Sequence, residues 1–193
     1  EMCIRDRYVG EIGFELYVKI EDSKKLFLTI VNEGKNHNLS LCGAHAMDIM
    51  RMESGFLHWG HDISPEENQY QAGLQFTISY KKNINFIGKE ALLKIKDQKP
   101  TKFLAMMVLK DNKPGQPLLL HEEPIYLDDK IIGRTTSGNY SFNFEKNISF
   151  GYVNSGNTIE NLIDKNLSIE IEKKKYPVSL IQEPLNQKNI KNA

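Results

Sequence analysis

Three side chains in the first half of the chain, Tyr8, Glu15 and Phe76, have the chemistry to hold a flat heterocycle. A carboxylate such as Glu15 can accept two adjacent N–H donors side by side, and an aromatic ring supplies a wall for the face of the heterocycle. The same residue types are also typical of strand edges whose polar groups bond to neighbouring backbone. By themselves they favour that structural role and leave the binding role as an alternative.

His58, His61 and Asp62 form a local cluster of possible metal ligands. Zinc sites on such short spacing need further ligands from elsewhere in the chain, so we predict no metal site here. Ser137, followed by Gly138, lacks the Gly-x-Ser-x-Gly context of a nucleophile, and we predict a turn between strands at this point. No catalytic residue is therefore assigned.

Arg51 and Glu53 fall close together in a predicted helix. One interpretation is an exposed or half-buried ion pair that fixes the helix and contributes about 0–1 kcal/mol if exposed. The other is that the loop around Trp59 brings Arg51 near a ligand. We leave the two interpretations open and expect Trp59 and Gly60 to be loop scaffolding.

The overall charge of the chain excludes some classes of partner. Lys plus Arg and Asp plus Glu number 25 each, so no net field recruits nucleic acid or an anionic membrane. No apolar run approaches the roughly 18–20 residues that span a bilayer. Two cysteines make no disulfide framework, which indicates a reducing compartment, and Cys42 is expected to be a small buried filler.

The elements that position these residues differ between the two halves of the chain. Periodicity and turn signals in the first half predict, in order, a strand over Phe14 to Ile20, a helix from Asp22-Ser23 to Gly34, a helix over Ala44 to Glu53, a loop over Phe56 to Gln71, a strand over Gly73 to Tyr80 and a short helix over Lys89 to Lys96. So few strands leave sheet edges without partners, and we expect this α/β piece to be truncated.

Composition changes at Asp97 to Pro100, which we take as a domain boundary. Six short β-like runs follow: Phe103–Leu109, Pro124–Leu127, Lys130–Arg134, Ser149–Val153, Leu167–Ile171 and Tyr176–Ile181. Many short strands with no helical pattern indicate a small barrel or sandwich. The predicted fold class is therefore α+β: a truncated α/β domain over 8–97 and a small all-β barrel over 98–187, with a frayed polar tail.

Five motifs, taken in order, resemble the glycine cleavage T-protein (aminomethyltransferase) family. They are Tyr8-Val9-Gly10-Glu11-x-Gly13-Phe14-Glu15, Gly43-x-x-Ala46-x-Asp48-x-x-Arg51-x-Glu53-x-Gly55, Phe86-Ile87-Gly88-Lys89-Glu90-Ala91-Leu92, Thr135-Thr136-Ser137-Gly138 and Gly151-Tyr152-Val153. Each motif alone is weak, but five in sequence are specific.

Further segments resemble the folate end of dimethylglycine and sarcosine dehydrogenases more than the T-protein itself. They are Trp59-Gly60-x-Asp62-Ile63, Gln71-Ala72-Gly73-Leu74, Thr135-Thr136-Ser137-Gly138-x-Tyr140-Ser141, Tyr176-Pro177 and Ile181-Gln182-Glu183-Pro184-Leu185. The resemblance implies a folate domain that captures an oxidised N-methyl carbon on tetrahydrofolate, giving methylenetetrahydrofolate. With this resemblance, the binding role of the first three side chains becomes the favoured one.

The resemblance also implies a set of folate-binding residues. Tyr8 and Glu15 match the family's folate-contacting tyrosine and glutamate, and Leu16 and Tyr17 are expected to line the same pocket. Phe76 falls where dimethylglycine dehydrogenases often have a tyrosine, so the stacking face is kept and a hydroxyl is lost. Met47 departs from an arginine of the T-protein.

The resemblance further implies parts that these residues do not supply. The family's catalytic aspartate lies upstream of the matched region, and no strand–Gly-x-Gly-x-x-Gly–helix element for FAD is present. We expect FAD and a small methylated amine substrate to bind a preceding region, residues 1–7 to be foreign to the family, and the chain to be inactive in demethylation alone. The expected compartment is the cytoplasm, or the mitochondrial matrix in a eukaryote.

Two other functions remain possible on this fold. One is a stand-alone aminomethyltransferase that accepts its group from a lipoylated carrier. The other is a non-catalytic folate-binding helper protein. Such helpers carry Lys-Gly-Cys-Tyr-x-Gly-Gln where this chain has Asn83-Ile84-Asn85-Phe86-Ile87-Gly88-Lys89, and the missing cysteine counts against that function.

Overall fold

The first half of the chain is a small set of helices and loops beside a two-stranded ribbon. A computed structural model describes residues 2–4, 8–82, 84–111 and 113–185. The elements are β1 (Met2–Ile4), β2 (Glu15–Tyr17), α1 (Ile20–Gly34), α2 (Ala44–Glu53) and α3 (Lys89–Ile95), with 3-10 turns at Lys35–His37 and Gln75–Thr77. β1 and β2 pair antiparallel. Most of the segment that we expected to be foreign, and the tail that we expected to fray, lie outside the described residues.

The helix α1 begins earlier than the capping pattern predicted. The helix starts at Ile20, so the strand expected over Phe14 to Ile20 is shortened to β2. Glu21 and Asp22 occupy the first turn, where their negative charges interact favourably with the positive end of the helix dipole. Gly34 ends the helix as predicted. A Cβ there would lie 2.6 Å from the side chain of Leu39. The apolar residues Phe27 and Leu28 stay more than half exposed.

The prediction of a strand over Gly73 to Tyr80 was wrong. The segment turns at Gly73 and continues as the 3-10 turn at Gln75–Thr77. The Thr77 N–H and hydroxyl both donate to the Leu74 carbonyl, at 3.0 and 2.7 Å. These local hydrogen bonds replace the ladder that an alternating sequence needs from a neighbouring strand.

The second half of the chain is a closed antiparallel barrel, which confirms the predicted all-β module. Its strands are β3 (Lys102–Leu109), β4 (Pro124–Leu127), β5 (Lys130–Ser141), β6 (Lys146–Asn154), β7 (Leu167–Ile171) and β8 (Lys174–Ile181), joined in the order β3-β6-β5-β4-β7-β8. Alternate residues of each strand fill the interior; in β7, Leu167, Ile169 and Ile171 are buried.

Close approach of β5 and β6 depends on a glycine. A Cβ on Gly133 would lie 1.9 Å from the carbonyl oxygen of Tyr152 on the neighbouring strand. Any other residue would therefore push the two strands apart. Ser137 and Gly138 also lie within β5, so the predicted turn at this point was wrong; a bulge sits between Thr135 and Ser137 instead.

The helix α2 packs on the outer face of the barrel. Ile49 and Met52 are buried against Ile148 and Phe150 of β6, while Met47 faces outward and is 44% exposed. Packing of α2 on β6 brings the loop that follows the helix beside β3 and β6. Cys42, just before α2, is exposed, which corrects the expectation of a buried filler.

No helix within the described part of the chain is both long and apolar enough to cross a bilayer.

Candidate functional site

A cleft of about 1220 Å³ lies between the first half of the chain and the outer face of the barrel. Its walls come from the segments around residues 54–57, 70–76 and 181–184 and from the barrel strands β3 and β6. Three of the side chains that the sequence singled out, Tyr8, Glu15 and Phe76, line this cleft together. They come from separate segments, so only the tertiary structure brings them together.

Tyr8 supplies a half-buried phenol to the cleft. Burial raises the pKa of Tyr8, the charges of Asp62 and Asp48 raise it further, and Arg51 acts in the opposite direction. The net shift is upward, so the phenol stays protonated at neutral pH. Tyr8 therefore offers a neutral O–H and a ring face to a ligand.

Glu15 lies at the start of β2 and is exposed to the cleft. The hydroxyl of Tyr17 donates a hydrogen bond to its Oε2 atom. This contact orients the carboxylate, because one of its two oxygens is tied to the neighbouring side chain.

Leu16 and Tyr17 do not line this cleft, and their predicted place beside the folate stays a prediction. Side chains alternate along a strand, and Leu16 therefore points to the opposite face from Glu15. Tyr17 is on the same face as Glu15, but its hydroxyl turns back to that carboxylate. Tyr17 can thus affect a ligand by orienting Glu15.

Phe76 lies in the 3-10 turn Gln75–Thr77, and its ring is 81% exposed. An aromatic side chain so exposed at the wall of a cleft gains burial only when another group covers it. It is suited to stacking on a flat ligand.

The wall segment 70–76 also has a polar pair that sequence reasoning missed. The hydroxyls of Tyr70 and Tyr80 lie 2.8 Å apart, and Tyr70 lines the cleft. Burial and the Tyr80 hydroxyl raise the pKa of Tyr70 to about 12. The signal available in the sequence was the spacing of two tyrosines on either side of Gly73, which has no distinctive meaning by itself.

Arg51 lies behind the cleft wall and is fully buried, which excludes the exposed ion pair considered for Arg51 and Glu53. Its Nε atom donates to Asp48 at 2.8 Å, and its Nη1 atom donates to the carbonyl of Phe56 at 3.0 Å and to Asp62. Its Nη2 atom donates to the hydroxyl of Ser137 at 2.8 Å. The guanidinium therefore connects α2, the cleft wall and β5.

Asp62 is the buried partner of this guanidinium. Its Oδ2 atom also accepts the His58 N–H at 2.9 Å, and its Oδ1 atom accepts the hydroxyls of Thr136 and Ser137 at 2.6 and 2.8 Å. The rings of His58 and His61 pack against each other at a tilt of 44°, with centroids 4.6 Å apart. Among the described residues, no three His, Cys, Asp or Glu side chains converge as a metal site.

Glu53 makes a second buried junction with the same barrel strand. Its carboxylate accepts hydrogen bonds from the hydroxyl of Ser141 and from the Asn143 amide, the latter at 2.9 Å. Glu53 and Arg51 are thus not partners of each other: two residues apart on a helix, they point in different directions.

Comparison with known families gives two matches that follow one another along the chain. The GCVT N-terminal domain matches residues 2–82, and the glycine cleavage T-protein C-terminal barrel domain matches residues 102–186. Together they cover most of the sequence, and the first match includes residues 2–7, which corrects the expectation that this segment is foreign to the family.

Among curated relatives, human mitochondrial dimethylglycine dehydrogenase is 34% identical over 184 residues, covering 95% of this chain and 20% of that protein. Aminomethyltransferase of Symbiobacterium thermophilum is 38% identical over 149 residues, covering 77% of this chain and 39% of that protein. This chain therefore spans well under half of either relative.

Among solved structures, aminomethyltransferase T of the glycine cleavage system of Bartonella henselae superposes with a TM-score of 0.80. The superposition covers 95% of this chain and 49% of that one. At 22% identity, this likeness establishes the fold.

Proposed function

Because the chain belongs to the glycine cleavage T-protein family, we propose that it is the folate-binding, one-carbon-transfer portion of a dimethylglycine or sarcosine dehydrogenase-like enzyme. In this function the cleft holds tetrahydrofolate. The single observation that carries the proposal is the convergence of Tyr8, Glu15 and Phe76 on one large cleft.

The chemistry of these side chains fits the ligand. Glu15 offers a carboxylate to the adjacent N–H donors of the pterin edge, and Tyr17 keeps that carboxylate oriented. Phe76 offers a ring face, and the neutral Tyr8 phenol offers one O–H donor. The predicted roles of Tyr8, Glu15 and Phe76 in folate binding are retained as part of this proposal.

The proposed reaction is the capture of a carbon at the oxidation level of formaldehyde. Two amine nitrogens of tetrahydrofolate bond to that carbon, water leaves, and methylenetetrahydrofolate forms. Oxidation of the small methylated amine would supply the carbon, and FAD, when bound, would be the oxidant that accepts the electron pair. We propose that FAD and the amine bind outside the described residues, and that this chain alone does not demethylate.

The division of the chain at residues 97 and 98 is kept as a proposal, with the folate-binding part before it and the barrel part after it. The proposed compartment is the cytoplasm, or the mitochondrial matrix in a eukaryotic host. The mitochondrial relative named above supports the second location.

Calorimetric titration of the purified chain with tetrahydrofolate tests the proposal. We expect binding to the unmodified chain and binding several-fold weaker to Glu15→Gln, because a charge-assisted contact becomes neutral. Glu21→Gln is the matched control, since Glu21 is exposed on α1 and is not part of the cleft wall. Absence of binding to the unmodified chain would overturn the proposal.

A stand-alone aminomethyltransferase remains the second candidate, supported by the aminomethyltransferase relative and the superposition. It shares the folate cleft but requires a docking surface for a lipoylated carrier protein. Specific binding of a lipoylated carrier to this chain, absent with the unlipoylated form, would select this function.

A further inference from the structure

We infer that Arg51 and Asp62 are positioning residues of the cleft, through which barrel strand β5 sets the place of the wall segment Gly55–Leu57. This inference rests on the proposed function for its ligand. Neither residue lines the cleft, so both act through the groups that they hold.

Arg51 binds both the backbone N–H and the carbonyl of Phe56, the central residue of the wall segment. The Phe56 N–H donates to the Arg51 carbonyl at 2.9 Å, and the Phe56 carbonyl accepts from Arg51 Nη1 at 3.0 Å. Gly55, Phe56 and Leu57 all line the cleft. A displacement of the guanidinium would therefore move the wall.

Asp62 fixes the end of the same loop. Its carboxylate binds the Arg51 guanidinium and accepts the His58 N–H, and the Asp62 N–H donates to the His58 carbonyl at 2.8 Å. The next residue, Ile63, lines the cleft. The loop between the wall residues Leu57 and Ile63 is thus held in place by the buried carboxylate of Asp62.

The barrel contributes through the bulge in β5. Thr136 has no partner in the ladder with β6, since Thr135 pairs with Gly151 and Ser137 with Phe150. In a regular strand, successive side chains would point to opposite faces, whereas here the Thr136 and Ser137 hydroxyls both donate to Asp62 Oδ1. The bulge therefore lets the barrel supply two donors to one carboxylate oxygen.

The hydrogen bonds of Glu53 form a comparable junction between α2 and the barrel and serve as a control for the Asp62 junction. It joins the same helix to the end of the same strand through Ser141 and to the following turn through Asn143, and Glu53 and Ser141 are also buried. Its hydrogen-bond partners do not line the cleft. Loss of a hydroxyl at either junction should reduce the stability of the fold. Only loss at the Asp62 junction should displace the wall segment Gly55–Leu57 and so change the shape of the cleft.

Paired variants of the 193-residue chain test this distinction by calorimetry with tetrahydrofolate and by thermal unfolding. We expect Thr136→Val and Ser141→Ala both to lower the Tm, because each leaves a buried carboxylate oxygen short of a donor. Thr136→Val should also weaken tetrahydrofolate binding several-fold, whereas Ser141→Ala should leave it unchanged. Thr136→Ser, which keeps the hydroxyl, should restore the affinity.

A second measurement decides the inference independently of the ligand. Trp59 is the single tryptophan of the chain and lies in the loop between His58 and Asp62. Trp59 is already 65% exposed, so the mobility of its ring and not its accessibility reports on the loop. Thr136→Val should lower the steady-state anisotropy of its emission, and Ser141→Ala should not. Equal anisotropy in both variants, or equal affinity of both for tetrahydrofolate, overturns the inference, while failure of the unmodified chain to bind tetrahydrofolate overturns only the proposed function.

Discussion

Arg51 and Asp62 form an ion pair in which only 1% and 0% of the side-chain surface is exposed. A charge pair removed from water so completely is costly unless every remaining donor and acceptor is satisfied. Here Asp48, Phe56 and Ser137 accept hydrogen bonds from the guanidinium. The carboxylate accepts hydrogen bonds from a backbone N–H and from hydroxyl groups. The pair therefore joins the first half of the chain to the barrel.

Removal of the guanidinium should destabilise the fold strongly. We expect Arg51→Ala to lower the free energy of unfolding by about 3–5 kcal/mol, because it leaves the Asp62 charge buried without a counter-ion. Urea unfolding followed by circular dichroism measures this loss. As a control, Arg134→Ala removes an exposed ion pair with Glu122 and should have little effect. A similar loss in both variants would contradict this account.

Phe76 should contribute to binding and not to stability. Its ring is 81% exposed, so Phe76→Ala should leave the Tm unchanged and weaken tetrahydrofolate binding several-fold through lost stacking. Phe76→Tyr should bind at least as well as the unmodified chain. Phe142, which is 75% exposed and outside the cleft wall, is the matched control: Phe142→Ala should not change the affinity. Unchanged affinity of Phe76→Ala would remove the ring from the site.

The barrel should not tolerate a side chain at Gly133. Because a Cβ would lie 1.9 Å from a backbone oxygen of β6, Gly133→Ala should prevent closure and abolish the cooperative thermal transition. Gly43→Ala is the control, since no atom lies within 4 Å of the added Cβ and its backbone φ is −91°. A cooperative transition near the unmodified Tm in Gly133→Ala would show that the two strands can separate without loss of the barrel.

Glu67 should make stability depend on pH. Burial opposes ionisation of Glu67, but hydrogen bonds from Ser64 and Lys102 outweigh it and lower the pKa below its usual 4.5. A carboxyl with a lowered pKa in the folded state stabilises it above the unfolded pKa, and that stability is lost as pH falls through the folded pKa.

We therefore expect the free energy of unfolding to fall as the pH drops below the usual carboxyl pKa of 4.5, and Glu67→Gln to reduce that fall. Urea titrations on either side of this pH measure it. Glu66→Gln, at an exposed neighbouring position, is the control. An identical pH dependence in Glu67→Gln and the unmodified chain would exclude Glu67 as the titrating group.

Elements with a clear local pattern could be predicted from the sequence. The bounds of α2, β4 and β7 match the prediction, because periodic apolar residues and flanking turn residues define them without reference to the rest of the chain. The segment Gly73 to Tyr80 has the same alternation but no partner strand among the described residues, so it forms a local turn. The prediction of a turn at Gly138 was wrong because a glycine serves equally for a turn and for close packing. Gly138 lies within β5 and packs closely against Leu119.

By itself the sequence determined the family, the order of a helical part and a barrel, and the side-chain chemistry of Tyr8, Glu15 and Phe76. Only the tertiary structure decided that these three residues share one cleft, that the Tyr17 hydroxyl bonds to Glu15, and that Arg51 pairs with Asp62 and not with Glu53. The physical reason is separation along the chain. Hydrogen bonds that span 74 to 86 residues, such as those of Thr136 with Asp62 and of Ser137 with Arg51, leave no local pattern until the barrel closes and its bulge turns both hydroxyls toward Asp62.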